Sequence, residues 1–301
     1  MKKLKGKQRG YVLNYLKPIL RPLYHSLDHI NFYYSLILFI KSKFKKIFIF
    51  KNNKLLDNKD IKISKCIVYD RIQHNKFIFL MPYRSKFLLS EIFCNTHYLL
   101  CLDEIKKIIS ERFSQEKFSI LDLGANIGTF SIVYYYIFNS SIKPYLYLFE
   151  PLLYNLRFLQ KNLAMNNIKG YKIYQNAVCE KSGDYVDLFI GGSYTGPTII
   201  ETEKYAKEQA TDKIRVKTLK IDDLKFKNIS IIKLDIEGAE ESALKGMEKT
   251  INNNIPVIIC SYEHRTNDKD FIINFIRSCG NYKYKEDKNN KLLYFLPNTK
   301  V

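Results

Sequence analysis

Four carboxylates lie close together behind an apolar run in this 301-residue sequence. They fall within seven residues, directly after the run ISIIKL, and they are Asp235, Glu237, Glu240 and Glu241. An apolar run of this length, followed by a change to polar residues, predicts a buried strand that ends there. Acids behind a strand have two uses: they stabilise the first turn of the next helix, or they contribute to a site at the strand end.

A glycine turn follows another predicted strand, in the stretch ILDLGANIGTF. Counted from Gly124, the spacing lacks the second and third glycines of a dinucleotide fingerprint, and no Gly-Lys-Ser/Thr of a phosphate loop follows. A further acid, Glu150, closes the next predicted strand, where a carboxylate can bind both hydroxyls of a ribose. The pattern Asp122, Gly124, Gly128 with Glu150 therefore favours an adenosine ligand without a pyrophosphate.

Predicted strands and helices alternate from residue 118 onward. The strands span 118–124, 144–150, 171–178, 185–190, 214–221, 228–235, 255–263, 282–287 and 292–297. The helices span 129–139, 153–167 and 268–280, and a further helix begins in the acidic stretch. Such alternation is typical of βαβ units around a parallel sheet. The polar loop between residues 190 and 214 is long enough to cover a binding site.

The remaining sequence divides into two further segments. Residues 1–60 form a basic N-terminal segment, and residues 61–117 form a subdomain in which short strands precede helical spacing. The net charge of the chain is +19, of which residues 1–60 hold +11 and residues 119–301 only +4. The basic charge therefore belongs mainly to the N-terminal segment.

Part of this basic segment, HINFYYSLILFIKSKFKKIFIFKNNK, combines an uncharged stretch with several lysines. The uncharged stretch is too short to span a bilayer, which takes about 20 apolar residues, and it lacks the features of a signal peptide. We consider an ordinary packed helix first, and peripheral contact with an anionic membrane as the alternative. The six cysteines show no metal-ligand spacing, so a reduced, cytoplasmic protein is expected.

Six stretches resemble, in order, the FkbM-type S-adenosylmethionine-dependent methyltransferases. They are LDLGANIGTF, FEPLLYNLRFLQKNL, NAVCEKSGDYVDLF, VKTLKIDDL, IIKLDIEGAEESALKGM and SYEH, within residues 80–296. The resemblance implies an α/β class I methyltransferase fold, which is a Rossmann-like, doubly wound sheet of seven strands, six parallel and one antiparallel near the edge. A helical and small-strand extension would precede it, and residues 118–301 would form the domain that binds S-adenosylmethionine.

The resemblance also implies the residues that bind this cofactor. The methionine end would lie against the turn after the first strand, the ribose against the second acid, and the adenine edge against the third strand. In that order, the residues are Asp122, Gly124, Ala125, Asn126 and Gly128, then Glu150, then Asn176 and Ala177.

This fold suggests roles for the four acids of residues 235–241, because ligands bind at the carboxyl ends of the strands. Asp235 and Glu237 are expected in the active site, whereas Glu240 and Glu241 are expected to cap the helix or face solvent. The next strand ends at Glu263 and His264, and the histidine could serve as a general base. A divalent metal on Asp235, Glu237 and Glu263 is a less favoured alternative.

These observations favour O-methylation of a hydroxyl on a sugar, a glycan, a lipid-linked molecule or a small molecule. RNA methylation is an alternative because of the net charge and the 23 tyrosines. It is disfavoured because the catalytic part is almost neutral, whereas nucleic-acid enzymes carry positive charge around the site. A non-catalytic protein that binds S-adenosylmethionine is the other alternative.

Overall fold

The computed structural model describes eight ranges of the chain, and it divides the chain into two units, residues 1–86 and 87–301. The described ranges are 46–53, 63–70, 75–82, 98–112, 117–138, 144–191, 210–262 and 268–298.

The strands and helices of these ranges are numbered in chain order. The strands are β1 Lys46–Asn53, β2 Ile63–Asp70, β3 Asn75–Pro82, β4 Ser119–Leu123, β5 Tyr145–Phe149, β6 Tyr171–Tyr174, β7 Ala177–Val178, β8 Tyr185–Gly191, β9 Ala210–Leu219, β10 Ile229–Leu234, β11 Val257–Ser261, β12 Tyr282–Asp287 and β13 Leu292–Pro297. The α-helices are α1 Leu102–Arg112, α2 Thr129–Ile137, α3 Leu153–Met165, α4 Glu240–Lys245, α5 Glu248–Asn254 and α6 Asp268–Cys279.

The first unit contains an antiparallel sheet in the order β1-β2-β3. The expectation of a helix through the lysine-rich end of the basic segment is wrong for the described part, because KIFIFKNN forms β1. Its alternating aromatic and β-branched residues favour a strand. Because β1 pairs with β2, this sheet spans the boundary predicted after residue 60. Residues 1–45 lie outside the described ranges, and the predicted domain limits remain predictions.

The second unit contains a seven-stranded sheet in the order β12-β13-β11-β10-β4-β5-β6. The strands β11, β10, β4, β5 and β6 pair in parallel. The strand β13 is antiparallel to both β11 and β12, so β12 runs in the common direction and β13 alone opposes it. The strand order reverses between β4 and β10, which are paired at the centre of the sheet.

Burial explains why the central strands are mostly apolar. Every residue of β4, β10, β11 and β13 is buried, as expected for strands covered by helices on both faces. Two charged side chains interrupt this apolar centre, Asp122 in β4 and Lys233 in β10. A buried charge is costly unless it is paired, and these two residues are partners in the β4–β10 register.

The third predicted strand is only partly correct. Residues 171–178 form two short strands in different sheets, since β6 ends the large sheet and β7 joins a small sheet in the order β7-β9-β8. The polar loop predicted between β8 and β9 lies mostly in residues 192–209, outside the described ranges. Among the described helices, none is both long and apolar enough to cross a membrane.

Candidate active site

Two turns meet at the carboxyl edge of the sheet, one after β4 and one after β10. Gly124 begins the first turn with φ +82°, and a Cβ at this position would lie 2.0 Å from the backbone oxygen of Asp235. The Asp235 amide also donates to the Leu123 carbonyl oxygen at 3.2 Å. Only glycine permits this approach, because both its φ and its lack of a side chain are required.

The amides of the first turn are engaged within the protein. Gly124 and Ala125 donate to the carbonyl oxygen of Phe149, at 3.0 and 2.9 Å, and Gly128 donates to that of Ala125 at 2.8 Å. The Asn126 amide donates to Glu150 Oε2 at 2.9 Å. A phosphate-binding turn presents its amides to the ligand, so this turn does not fit a pyrophosphate.

The Glu150 carboxylate is fixed directly beyond β5. Its Oε1 accepts hydrogen bonds from the Leu152 amide at 2.9 Å and from Asn155 Nδ2 at 3.3 Å. The side chain is buried, and this burial raises the pKa of Glu150 to about 7, although the bonds from Leu152 and Asn126 act in the opposite direction. A carboxylate held in this way is a preorganised acceptor for hydroxyl donors.

Packing accounts for the second glycine of the turn. Gly128 has φ +90°, and a Cβ there would lie 2.7 Å from Leu159 Cδ1, so the glycine allows α2 to pack closely against α3. At the third strand, Asn176 Nδ2 donates to the Lys217 carbonyl oxygen at 3.1 Å. The neighbouring Ala177 is buried in β7 and pairs with Thr218. Their assignment to the adenine edge remains a prediction.

In and after the second turn, the four acids of the stretch 235–241 have different environments. Asp235 has a side chain that is 24% exposed, and Glu237 lies in the left-handed region at φ +58°. Glu240 is fully buried, and its Oε1 accepts a hydrogen bond from the Ile236 amide at 3.0 Å. Glu240 therefore does not face solvent, and its bond holds the turn before α4, whose N-cap has no side-chain hydrogen bond. Glu241 forms the surface pair with Lys245 at 2.8 Å.

A buried lysine links the two turns, and the sequence analysis missed it. Lys233 Nζ donates to the Gly124 carbonyl oxygen at 2.6 Å. It also lies 3.4 Å from Asp122 Oδ1 and 3.9 Å from Asp235 Oδ2. Burial raises the pKa of Asp122, and the positive charge of Lys233 opposes this shift. The signal in the sequence was a lone charge within the apolar run ISIIKL.

Two further side chains complete this cluster. Ser131, in α2, donates to Asp122 Oδ2 at 2.6 Å. Tyr98, which precedes α1, donates its hydroxyl to Asp235 Oδ2 at 2.5 Å. Its ring lies edge-on to Phe130, and Tyr134 donates to its carbonyl oxygen. No spacing in the sequence connects Tyr98 with Asp235, which is 137 residues away.

Two predicted catalytic residues, Glu263 and His264, follow β11 and lie outside the described ranges. Within the described residues, no group of three or more histidine, cysteine, aspartate and glutamate side chains is arranged to hold a metal ion. The catalytic roles of Asp235, Glu237, Glu263 and His264 stay predictions, as does the metal alternative that includes Glu263.

The strand order and the site at the carboxyl edge define the class of the protein. A seven-stranded sheet with β4 and β10 at its centre and β13 as its one reversed strand is the class I methyltransferase fold, and the predicted fold class is confirmed. A family model described as "Methyltransferase FkbM domain" matches residues 122–283. The chain belongs to the FkbM methyltransferase family, as its motifs predicted.

Comparison with solved structures finds distant neighbours. An FkbM methyltransferase from Methylobacillus flagellatus KT is 19% identical, with a TM-score of 0.46 over 70% of this chain and 55% of that one. A precorrin-6y C5,15-methyltransferase from Geobacter metallireducens GS-15 is 12% identical, with a TM-score of 0.36 over 64% of this chain and 85% of that one. The present chain thus spans about half of the first neighbour. No curated protein matches the sequence.

Proposed function

We propose that this protein transfers the methyl group of S-adenosylmethionine to a hydroxyl of a sugar, glycan, lipid-linked or small-molecule acceptor. The observation that supports this most directly is the junction of Glu150 with the first turn. A buried carboxylate there accepts a hydrogen bond from the Asn126 amide. The amides of Gly124, Ala125 and Gly128 donate to carbonyl oxygens of the protein and are not presented to a phosphate. Such a junction suits a ribose that bears no phosphate.

The residues present fit this cofactor. Glu150 Oε2 accepts one described hydrogen bond, and a carboxylate oxygen can accept two, so a ribose hydroxyl can add to it. Asp122, with Gly124 to Gly128, would line the methionine end, and Asn176 with Ala177 would line the adenine. When bound, the cofactor supplies an activated methyl group on a sulfonium.

The chain itself then has three tasks: to align the acceptor, to exclude water, and to assist loss of the acceptor proton. Asp235 is suited to the last task, because its carboxylate is partly exposed and follows the strand next to β4. We assign Glu237, Glu263 and His264 to the acceptor side as well, on the order of the strands alone. A base on the acceptor side suits a hydroxyl acceptor, because a hydroxyl must lose its proton when the methyl ether forms.

The test is transfer of a deuterated methyl group. The purified chain and deuterium-labelled S-adenosylmethionine would be incubated with separate lipid, glycan, small-molecule and RNA fractions, and products would be identified by mass spectrometry. We expect a labelled methyl ether in one of the first three fractions. Label in RNA would support the alternative, and cofactor binding without labelled product in any fraction would support a non-catalytic protein.

We also propose that the basic N-terminal segment brings the protein to anionic membranes. The evidence is its charge alone, since residues 1–45 hold a net +9. Cations near an anionic surface contribute about 1 kcal/mol each. Because β1 begins at Lys46 and pairs with β2, a deletion of residues 1–45 preserves the sheet, whereas a deletion of residues 1–60 would not.

Deletion of residues 1–45 should lower sedimentation with phosphatidylserine vesicles by roughly tenfold at low salt. Neutral phosphatidylcholine vesicles provide the control, and both proteins should bind them equally weakly. Equal sedimentation of full-length and shortened chains with the anionic vesicles would contradict the membrane proposal.

A further inference from the structure

Two groups hold the Asp235 carboxylate, the phenol of Tyr98 and the ammonium of Lys233. Tyr98 donates its hydroxyl to Oδ2 at 2.5 Å, and the Lys233 ammonium lies 3.9 Å from the same oxygen. The Lys233 Nζ atom also lies 5.7 Å from the centre of the Tyr98 ring. One carboxylate oxygen therefore faces a phenol and a cation together.

Both groups are buried and contacted by several neighbours. Tyr98 is 4% exposed, its ring contacts Phe130 with centroids 5.3 Å apart, and its carbonyl oxygen accepts the Tyr134 hydroxyl. Lys233 is 4% exposed and is fixed by the Gly124 carbonyl oxygen and by Asp122. A buried ammonium near the end of a parallel strand is costly unless it is paired, and an apolar residue would be sufficient for the strand itself.

We propose that Tyr98 and Lys233 are positioning residues that keep Asp235 ionised and aimed for removal of the acceptor proton. This rests on the proposed function, in which Asp235 assists proton loss. A hydrogen bond donated to a carboxylate and a cation within about 4 Å both favour its charged form. The fixed phenol also defines the orientation of the carboxylate, because it donates to Oδ2 from a buried and closely packed ring.

The position of Tyr98 in the chain gives the inference a further consequence. The family match begins at residue 122, so Tyr98 lies before it, although it belongs to the same unit of the fold. The segment before α1 is thus part of the catalytic machinery, and the family domain alone does not contain the complete site.

Other charged or titratable groups also act on Asp235 and must be held constant in a test. Among the described residues, they are Asp122 on β4, Lys233 on β10, Cys260 on β11 and Tyr98 before α1. Tyr98→Phe changes only one of them, since it removes the hydroxyl and keeps the ring. Tyr136→Phe is the matched control, because the Tyr136 hydroxyl donates to the Asn166 carbonyl oxygen, away from the cluster.

The experiment is a carbon-13 NMR titration of the full-length chain labelled at aspartate carboxyls, with the Asp235 signal assigned by its absence in Asp235→Asn. We expect the Asp235 midpoint to rise by about one pH unit in Tyr98→Phe, a tenfold gain in proton affinity, and to stay unchanged in Tyr136→Phe. Lys233→Met should raise the midpoint further, but loss of its buried charge can also unfold the chain, so Tyr98→Phe decides. An unchanged midpoint in folded Tyr98→Phe would overturn the proposal.

This titration needs neither cofactor nor acceptor, so its result is independent of whether methyl transfer is found. Where the labelled-methyl assay yields a product, Tyr98→Phe should lose rate mainly at low pH, because its Asp235 is then protonated. A loss of the same size at every pH would contradict the proposal that Tyr98 keeps Asp235 ionised.

Discussion

The two turns at the carboxyl edge of the sheet are built differently. In the turn after β4, the groups held in place are backbone amides, which donate to the Phe149 carbonyl oxygen and to the fixed Glu150 carboxylate. In the turn after β10, the decisive contacts are between side chains, from Asp235 to Tyr98 and Lys233. The first turn tolerates little change in chain path, whereas the second depends on residue types brought from distant positions.

The difference suits the two ligands of the proposed reaction. A cofactor of constant structure needs a rigid, repeated geometry, and backbone contacts provide it at low entropic cost. A site for the acceptor can be altered by exchange of side chains, without a change in the path of the turn. If this division is correct, substitutions in the two turns should affect different quantities, and the largest effect should come from the side-chain turn.

Asp235→Asn should lower turnover by about 10²–10⁴-fold, the usual range for general acid-base assistance, while cofactor affinity stays within a few-fold. The substitution keeps the size of the side chain but removes its basicity. Turnover would be measured with the acceptor that the labelled-methyl assay identifies, and affinity by calorimetry with S-adenosylhomocysteine. Loss of cofactor affinity in this variant would contradict the assignment of the second turn to the acceptor, because Asp235 would then bind the cofactor.

Glu150→Ala should weaken cofactor binding by about 1–3 kcal/mol through loss of a charged hydrogen-bond acceptor for the ribose. Calorimetry with S-adenosylhomocysteine measures this effect. Because Glu150 also accepts bonds from Asn126 and Leu152, urea unfolding must accompany the measurement. Unchanged affinity in a folded variant would remove Glu150 from the cofactor site.

Because Glu150 titrates near neutral pH, we expect stability and cofactor affinity to change with pH in opposite directions. Burial raises its pKa in the folded chain to about 7, above the ordinary value near 4.3 in an unfolded chain. The folded state therefore binds the extra proton between these values, and this contribution to stability decreases as pH rises from about 4 to about 7. Cofactor affinity should instead rise about tenfold from pH 6 to pH 8, because the ribose hydroxyls donate to the ionised carboxylate.

Glu150→Gln provides the comparison for both measurements, since it cannot titrate. The pH dependence of urea unfolding and of S-adenosylhomocysteine binding should each be flatter in this variant than in the parent chain. Parallel pH profiles in the two proteins would mean that another group is responsible.

Sequence alone predicted the backbone-built turn better than the side-chain turn. Gly124, Gly128 and Glu150 are adjacent to strands with clear apolar patterns, so their places at the sheet edge follow from local spacing. Lys233 was visible as a charge within ISIIKL, but its partner depends on the β4–β10 register. Tyr98 could not be found, because its contact with Asp235 arises only when the fold brings together residues that are 137 positions apart. Likewise, no local pattern revealed that residues 171–178 divide between two sheets.

The smallest effect is expected for Glu241, the last of the four acids after β10. Its substitution tests whether all four acids serve the site or whether some have only a structural role. Glu241 is paired with Lys245 on the surface of α4, where an exposed ion pair contributes little. Glu241→Gln should therefore leave turnover, cofactor affinity and the urea midpoint unchanged within error. Glu240→Gln, by contrast, alters a fully buried acid that accepts the Ile236 amide, and it should lower the urea midpoint without abolishing cofactor binding. If both variants behave like the parent chain, the second turn does not depend on Glu240, and its shape must come from other contacts such as the Tyr98–Asp235–Lys233 cluster. If Glu241→Gln alone lowers turnover, the start of α4 belongs to the acceptor site. The separation of this stretch into catalytic acids (Asp235 and Glu237) and structural acids (Glu240 and Glu241) would then be wrong.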